Sequence, residues 1–321
     1  MVKISVIIPC YNLGIYLDNC LEGISQQEVG EVEYIFVNDG STDDTLQKLQ
    51  EFCNDKIFCR IIDQKNGGVS SARNAAISVA KGEYLYLLDG DDRLEKGAVK
   101  KMLESVDKEN CDAVLSGYTI LRDGIESRHK LPLNDGLYTP MEIYQNVKVF
   151  PTKTQLLYKL DIIKKQHLWF DSGLRYGEVY DFTIRFFCFA QKVKVVSDSF
   201  FKYVIRPNSA THIPNYHKDL SILDTLNRYN QAGIKFLNIP SFNVTTFKMI
   251  LSFTYNKYVR LKLKDKEALS NITLLLKNAN VKKLIKTVAK CSASPLKERL
   301  LATYIYLTGV RGYKFLTRLS R

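Results

Sequence analysis

The sequence predicts an α/β protein, with a doubly wound, mostly parallel sheet and flanking helices, followed by a mainly helical, basic C-terminal region. Three observations carry this. Short β-branched or aromatic runs alternate with stretches of helical apolar spacing over about the first 120 residues. Polar or glycine-bearing loops follow those runs at their carboxyl ends, the edge where an open α/β sheet binds ligands. Basic charge is concentrated late: residues 241–321 hold 17 Lys/Arg against three acids, so residues 1–240 sum to −2 while the whole chain carries +12.

Taken in order, residues 4–8 form a first strand closed by Pro9, and Leu17, Cys20, Leu21 and Ile24 recur at helical spacing. Residues 34–37 form a second strand that runs into Asn38, Asp39, Gly40 and Ser41. Ser41 or Thr42 can then cap the helix defined by Leu46, Leu49 and Phe52. A third strand spans 57–62 and precedes Asn66-Gly67-Gly68, after which Ala72, Ala75, Ala76 and Val79 mark a helix. Residues 84–88 are the fourth strand, 94–106 a helix, and 113–118 and 193–196 further strands. Phe182, Phe186 and Phe189 share one helical face and read as core, and 218–321 read as largely helical. The expected division is 1–118 and 119–215 as two halves of one domain, with 216–321 as the helical region.

The fourth strand is the centre of this arrangement because it ends in Asp89, Gly90, Asp91 and Asp92. Three carboxylates at a strand end repel one another unless a cation sits among them. Mg²⁺ or Mn²⁺ suits such a site, because these hard cations take oxygen ligands and keep waters and substrate phosphates. The plainer alternative is a solvated acidic turn before a helix.

Composition excludes several classes. The 45% hydrophobic and 25% charged content is that of a globular protein, and no run of 18 apolar residues is available to span a membrane. Seven cysteines without paired spacing, and an N-terminal apolar run too short for a signal peptide, favour free thiols in a reducing cytoplasm. No GxGxxG follows the first strand and no GxxxxGK[ST] occurs, which disfavours dinucleotide-binding and P-loop proteins. No nucleic-acid motif accompanies the basic charge, so no nucleic-acid partner is expected.

Four stretches together resemble the family 2 glycosyltransferases of the GT-A fold. They are Ser5-Val6-Ile7-Ile8-Pro9-Cys10-Tyr11-Asn12, Val37-Asn38-Asp39-Gly40-Ser41-Thr42-Asp43, Asn66-Gly67-Gly68-Val69-Ser70-Ser71-Ala72-Arg73-Asn74 and Gly82-Glu83-Tyr84-Leu85-Tyr86-Leu87-Leu88-Asp89-Gly90-Asp91-Asp92. Their order and spacing match, and the likeness covers about residues 3–210. The resemblance implies a nucleotide-sugar donor, usually a UDP-sugar, and inverting transfer to a hydroxyl. It implies that Pro9 and Tyr11 flank the base and ribose, that Asp39 accepts from a uracil ring nitrogen, and that Asn66 and Arg73 lie along the nucleotide or its diphosphate. Asp89 and Asp91 match the metal-binding D-x-D, with Gly90 between them in the donor site and Asp92 beside them. Arg206 and Ser209 fall in a segment resembling the one that closes over the donor phosphates. Where many members have Asp-Asp-Gly-Ser, this chain has Asn38-Asp39-Gly40-Ser41.

The chain departs from the family where a general base is needed. The counterpart of the usual Gly-Glu-Asp-x-Asp-Phe is Gly177-Glu178-Val179-Tyr180-Asp181-Phe182, and valine cannot take a proton. Glu178 is the preferred substitute, with Asp181 the other carboxylate within reach of the motif. The alternative is a catalytically inactive nucleotide-sugar-binding subunit that supports a partner glycosyltransferase. Behind the motifs, 300–307 and 313–316 mix leucine and tyrosine with flanking Arg and Lys, a pattern suited to an anionic membrane surface. The resemblance and this tail together imply a glycan acceptor on a lipid carrier, as in bacterial capsule, O-antigen or exopolysaccharide assembly, and a cytoplasmic protein peripheral to the inner membrane.

Overall fold

Strand β1 (Ile4–Cys10) and strand β2 (Val32–Asp39) are buried along almost their whole length, as expected of strands covered on both faces. They pair in parallel from Ile4 opposite Val32 to Cys10 opposite Asn38. In the computed structural model of the chain, strand β3 (Cys59–Gln64) adds outside β2 and strand β4 (Tyr84–Leu87) outside β1, both parallel. The structure describes residues 1–27, 30–107, 110–146, 155–174, 177–205, 225, 229, 234, 239–251, 266–294 and 296–319. Helices α1 (Gly14–Ser25), α2 (Thr45–Cys53) and α3 (Val69–Val79) make the crossovers. This register sets the carboxyl ends of β1, β2, β3 and β4 along one edge.

Beyond β4 the sheet changes character. Strands β5 (Arg93–Leu94), β6 (Ala113–Arg122), β7 (Ile125–His129), β8 (Gly136–Tyr138), β9 (Leu156–Lys159) and β10 (Val193–Val204) continue it in the order β3-β2-β1-β4-β9-β6-β10-β5, with β7 on β6 and β8 on β10. β9 runs antiparallel to both β4 and β6, while β10 is parallel to β6 with two register shifts. Helices α4 (Ala98–Asp107), α6 (Leu160–Lys165) and α7 (Glu178–Phe187) belong to this same unit, with α5 (Pro140–Asn146) between α4 and α6 in sequence.

Several local expectations are corrected. The helix expected from residue 94 starts at Ala98: Leu94 is buried in β5 opposite Phe201, and Gly97 at φ +69 interrupts the chain before α4. Ile57 is fully exposed, and the edge strand β3 begins two residues later. α2 begins at Thr45, whose N–H donates to Asp43 Oδ1, so neither Ser41 nor Thr42 caps it. Phe182 and Phe186 are core, but Phe189 is exposed, and Phe187 is buried in its stead.

The chain divides into two units, and the division is not linear in sequence. The sheet unit comprises Met1–Pro140, Thr152–Ser172 and Glu178–Ser209, and the second unit Met141–Pro151, Gly173–Gly177 and Ala210–Arg321. Within the second unit lie α8 (Pro240–Leu251), α9 (Lys266–Lys277), α10 (Ala279–Lys290) and α11 (Leu296–Leu319), with a non-helical Gly309 inside the last. α10 shows how its sequence makes it: Asn278 caps it by accepting from the N–H groups of Asn280 and Val281. Val281, Leu284, Ile285 and Val288 then form its buried stripe. Among the described residues no helix is long and apolar enough to cross a membrane. Residues 220–224, 226 and 261–264, which the sequence reads as helical, lie outside the described residues.

Candidate active site

The loops after β1, β2 and β3 are tied together by side chain to backbone hydrogen bonds. Asn12, at φ 50, donates its N–H to Ser41 Oγ (3.1 Å) and accepts at Oδ1 from the Thr42 N–H (2.8 Å). Leu13 N–H donates to Thr45 Oγ1 and Gly14 N–H to Asp43 Oδ2. Slight burial works against the Asp43 charge, but the bonds from Thr45 and Gly14 hold its carboxyl below the usual range. Tyr11 stands exposed above this knot, and Pro9 is half-buried within β1.

Asp39, buried at the end of β2, organises the next loop. Its Oδ1 accepts from Gly67 N–H (2.8 Å) and Gln64 Nε2 (2.7 Å), and its Oδ2 from Gly68 N–H (2.8 Å). Asn66 Nδ2 donates to the Asp39 carbonyl (2.8 Å). The loop needs glycine here: Gly68 sits at φ 86 before α3, a conformation side chains disfavour. Asp39 therefore already satisfies three protein donors, an ionised acceptor on amides at charge-assisted distances.

The turn after β4 uses its three acids differently. Gly90 is required by space, since a Cβ there would lie 2.7 Å from Leu13 Cδ1 and 3.1 Å from the Pro9 carbonyl. Asp89 and Asp91 are part-exposed, whereas Asp92 is buried and accepts the Val204 N–H at Oδ1 (2.9 Å). The three-acid metal cage expected from sequence is thereby corrected: Asp92 fastens β10 to the turn. Among the described residues no group of three or more His, Cys, Asp or Glu could hold a metal. A two-carboxylate site does fit, because Asp89 Oδ2 accepts no hydrogen bond among the described residues and both acids reach solvent. Burial pushes the Cys10 thiol up, and Asp91 and Asp89 push it further, so the turn is a region of negative potential.

Arg73 of α3 joins this turn to α7. It is 2% exposed, and Nη2 donates to Asp89 Oδ1 (2.7 Å) while Nη1 donates to Glu178 Oε1 (2.9 Å). Burial opposes its charge, but Asp89 and then Glu178 hold the guanidinium protonated. The guanidinium lies 5.2 Å from the Phe170 ring centroid, and Phe170 stacks on Phe182 at 4.2 Å. Asn74 fixes Phe170 by donating to its carbonyl and accepting its N–H. Both arms of the Arg73 fork are occupied by carboxylates.

Glu178 is the first residue of α7, after Gly177 at φ 76. Its side chain is 16% exposed, and among the described residues its Oε2 accepts no hydrogen bond. Val179 is buried. Asp181 is buried too, with one oxygen held by Arg185 Nε (2.9 Å) and Nη2 (2.7 Å), so this candidate base is an inward structural anion. Glu178 alone of the two shares a cation with the acidic turn. Arg206 and Ser209 lie outside the described residues. Phe170, Asn74 and Gln64 were missed by sequence reasoning; Asn74 ends the Asn66–Asn74 stretch and was the legible signal.

A family model described as Glycosyl transferase family 2 matches residues 5–166. The chain is similar to the uncharacterized glycosyltransferase EpsJ of Bacillus subtilis, 29% identical over 244 residues that cover 73% of this chain and 70% of that one. It is 42% identical over 101 residues to the chondroitin synthase of Pasteurella multocida, covering 32% of this chain and 10% of that one. A crystal structure of Staphylococcus aureus TarS 1-349 in complex with UDP matches with a TM-score of 0.74 at 20% identity, covering 100% of this chain and 91% of that chain.

Proposed function

The chain belongs to glycosyl transferase family 2, and from that premise we propose that it moves a sugar from a UDP-sugar to a hydroxyl of a glycan acceptor, with inversion, in surface-polysaccharide assembly. One observation carries the reading: Asp89 and Glu178 share the Arg73 guanidinium, and each keeps one oxygen without a partner among the described residues. Asp89 on the donor side and Glu178 on the acceptor side would thus be held by one cation. The UDP bound by the TarS neighbour and the polymer named for the chondroitin synthase support the donor and product classes.

Asp89 and Asp91 would hold Mn²⁺ or Mg²⁺, which when bound supplies charge neutralisation for the departing diphosphate. Tyr11 and Pro9 would flank the base. Asp39 would keep the Asn66-Gly67-Gly68 loop in place beneath it and accept from the uracil ring at Oδ2, which among the described residues holds only the Gly68 bond. Asn66, exposed at that loop, and Gly90, which keeps the turn close to Pro9, would bound the donor site. Arg206 and Ser209 would reach the phosphates. Glu178 Oε2 would take the proton of the acceptor hydroxyl, a role worth about 10²–10⁴-fold. Arg73 holds Oε1 meanwhile, fixing the carboxylate plane. The acceptor would be a lipid-linked glycan, with the protein cytoplasmic and peripheral to the inner membrane face.

A second reading has its own observation. Val179 occupies the usual base position, so the chain could be a nucleotide-sugar-binding subunit for a partner glycosyltransferase. Donor binding and turnover separate the two. A UDP-sugar with Mn²⁺ at 100 times its dissociation constant should stabilise the protein by roughly 2.7 kcal/mol. Glu178→Gln should keep that shift and lose turnover by about 10²–10⁴-fold. Unchanged turnover removes Glu178 as base. A wild-type donor shift without turnover on any acceptor favours the supporting subunit, and no shift with any nucleotide sugar overturns both.

A further inference from the structure

Helix α11 presents an apolar face to solvent. Leu296, Leu300 and Leu307 are 62%, 62% and 75% exposed, while Ala302 and Ile305 on the other side are buried. At 3.6 residues per turn the three leucines fall within about 40° of one another. Arg299 and Tyr306 border the stripe on one flank, Lys297 and Tyr304 on the other. The adjoining α10 packs against α11 and directs Lys282, Lys283, Lys286 and Lys290 to solvent, opposite its buried stripe. Glu298, the one acid in residues 277–299, is turned away onto Lys248 at 2.8 Å.

An exposed leucine stripe needs a cover, and the charge around it selects one. A second copy would bring the same cations face to face. A nucleic acid would use the lysines and leave the leucines in water. An anionic lipid surface satisfies both, since leucines enter the boundary between headgroups and acyl chains while flanking cations meet phosphates. Long Lys and Arg stems suit that geometry, and tyrosine belongs at the same depth.

We propose that the exposed face of α11 docks the protein on an anionic bilayer, with Leu296, Leu300 and Leu307 inserted, Lys297 and Arg299 on the headgroups, and the lysines of α10 adding to the positive potential around it. This specifies the surface behind the peripheral-membrane reading and is independent of whether Glu178 is a base.

The test is co-sedimentation of the full chain with vesicles of phosphatidylglycerol and phosphatidylcholine, against phosphatidylcholine alone. Recovery should be at least tenfold greater with the anionic vesicles and should fall as salt rises. Leu300→Glu with Leu307→Glu should remove tenfold or more of that binding while leaving the UDP-sugar-dependent thermal shift intact. Lys282→Glu with Lys286→Glu should weaken binding to anionic vesicles only. Equal recovery with both vesicle types overturns the proposal, as does full binding by the double leucine variant. A concentration-dependent dimer in sedimentation velocity that the leucine variant abolishes, with vesicle recovery unchanged, overturns it in favour of a second copy. Failure of the donor shift in the wild type would concern the donor site and not this face.

Discussion

At the carboxyl edge of β1, β2 and β4, charged groups turn inward and bind one another or the backbone; on α10 they turn outward. Arg73 lies buried between Asp89 and Glu178, Asp39 between three donors, and Asp92 on a strand end. Lys282, Lys283, Lys286 and Lys290 stand in water instead. The difference teaches what each arrangement can do. A buried ion pair with fixed partners holds oxygens at set positions and is costly to break. An exposed row of cations contributes little to folding but sets a potential that acts on partners.

The comparison can be broken hardest at Arg73. Arg73→Met should destabilise the sheet unit on the order of 3 kcal/mol, because Asp89 and Glu178 would face each other without their cation. The partial exposure of Asp89, 34% at its side chain, keeps the loss toward the lower end of that class. Lys286→Ala should change stability by no more than about 0.5 kcal/mol. Urea midpoints at constant slope would measure both, and equal effects would erase the distinction.

Asp39→Asn should cost about 2 kcal/mol, since an amide nitrogen would face the Gly67 or Gly68 N–H and leave a buried donor unsatisfied. It should also weaken UDP-sugar binding, read as a smaller donor-dependent shift. Normal binding with normal stability would mean that the loop does not depend on this carboxylate.

The smallest effect belongs to Asp43, largely in solvent yet bonded to Gly14 and Thr45. Its folded carboxyl lies below the unfolded value, so its stabilisation is present above the ordinary carboxylate range and is lost as pH falls through the lowered value. Asp43→Asn should cost about 0.5 kcal/mol at neutral pH, and wild type and variant should converge in acid. A difference that persists there would show that the bonds, not the charge, matter.

Much of the sheet unit was legible because buried parallel strands leave continuous apolar runs, as in β1, β2 and β4. The ends of those strands carry loops whose glycines and acids announce themselves. Less was legible where partner choice spans long separations. The antiparallel insertion of β9 between β4 and β6 has no local mark, and neither does the pairing of β5 with β10 that displaced the start of α4. Phe189 fits the helical period of Phe182 and Phe186, but it falls beyond the end of α7.

By itself the sequence determined the family, the fold class, the edge at which the motifs meet and the basic C-terminal region, because these follow from short-range pattern and composition. Only the tertiary structure decided which carboxylates turn inward and which share a buried cation. Asp92 and Asp181 turn inward, while Arg73 joins Asp89, 16 residues away, to Glu178, 105 residues away. A carboxylate's role depends on the donors around it, and the sheet order brings those donors from elsewhere in the chain.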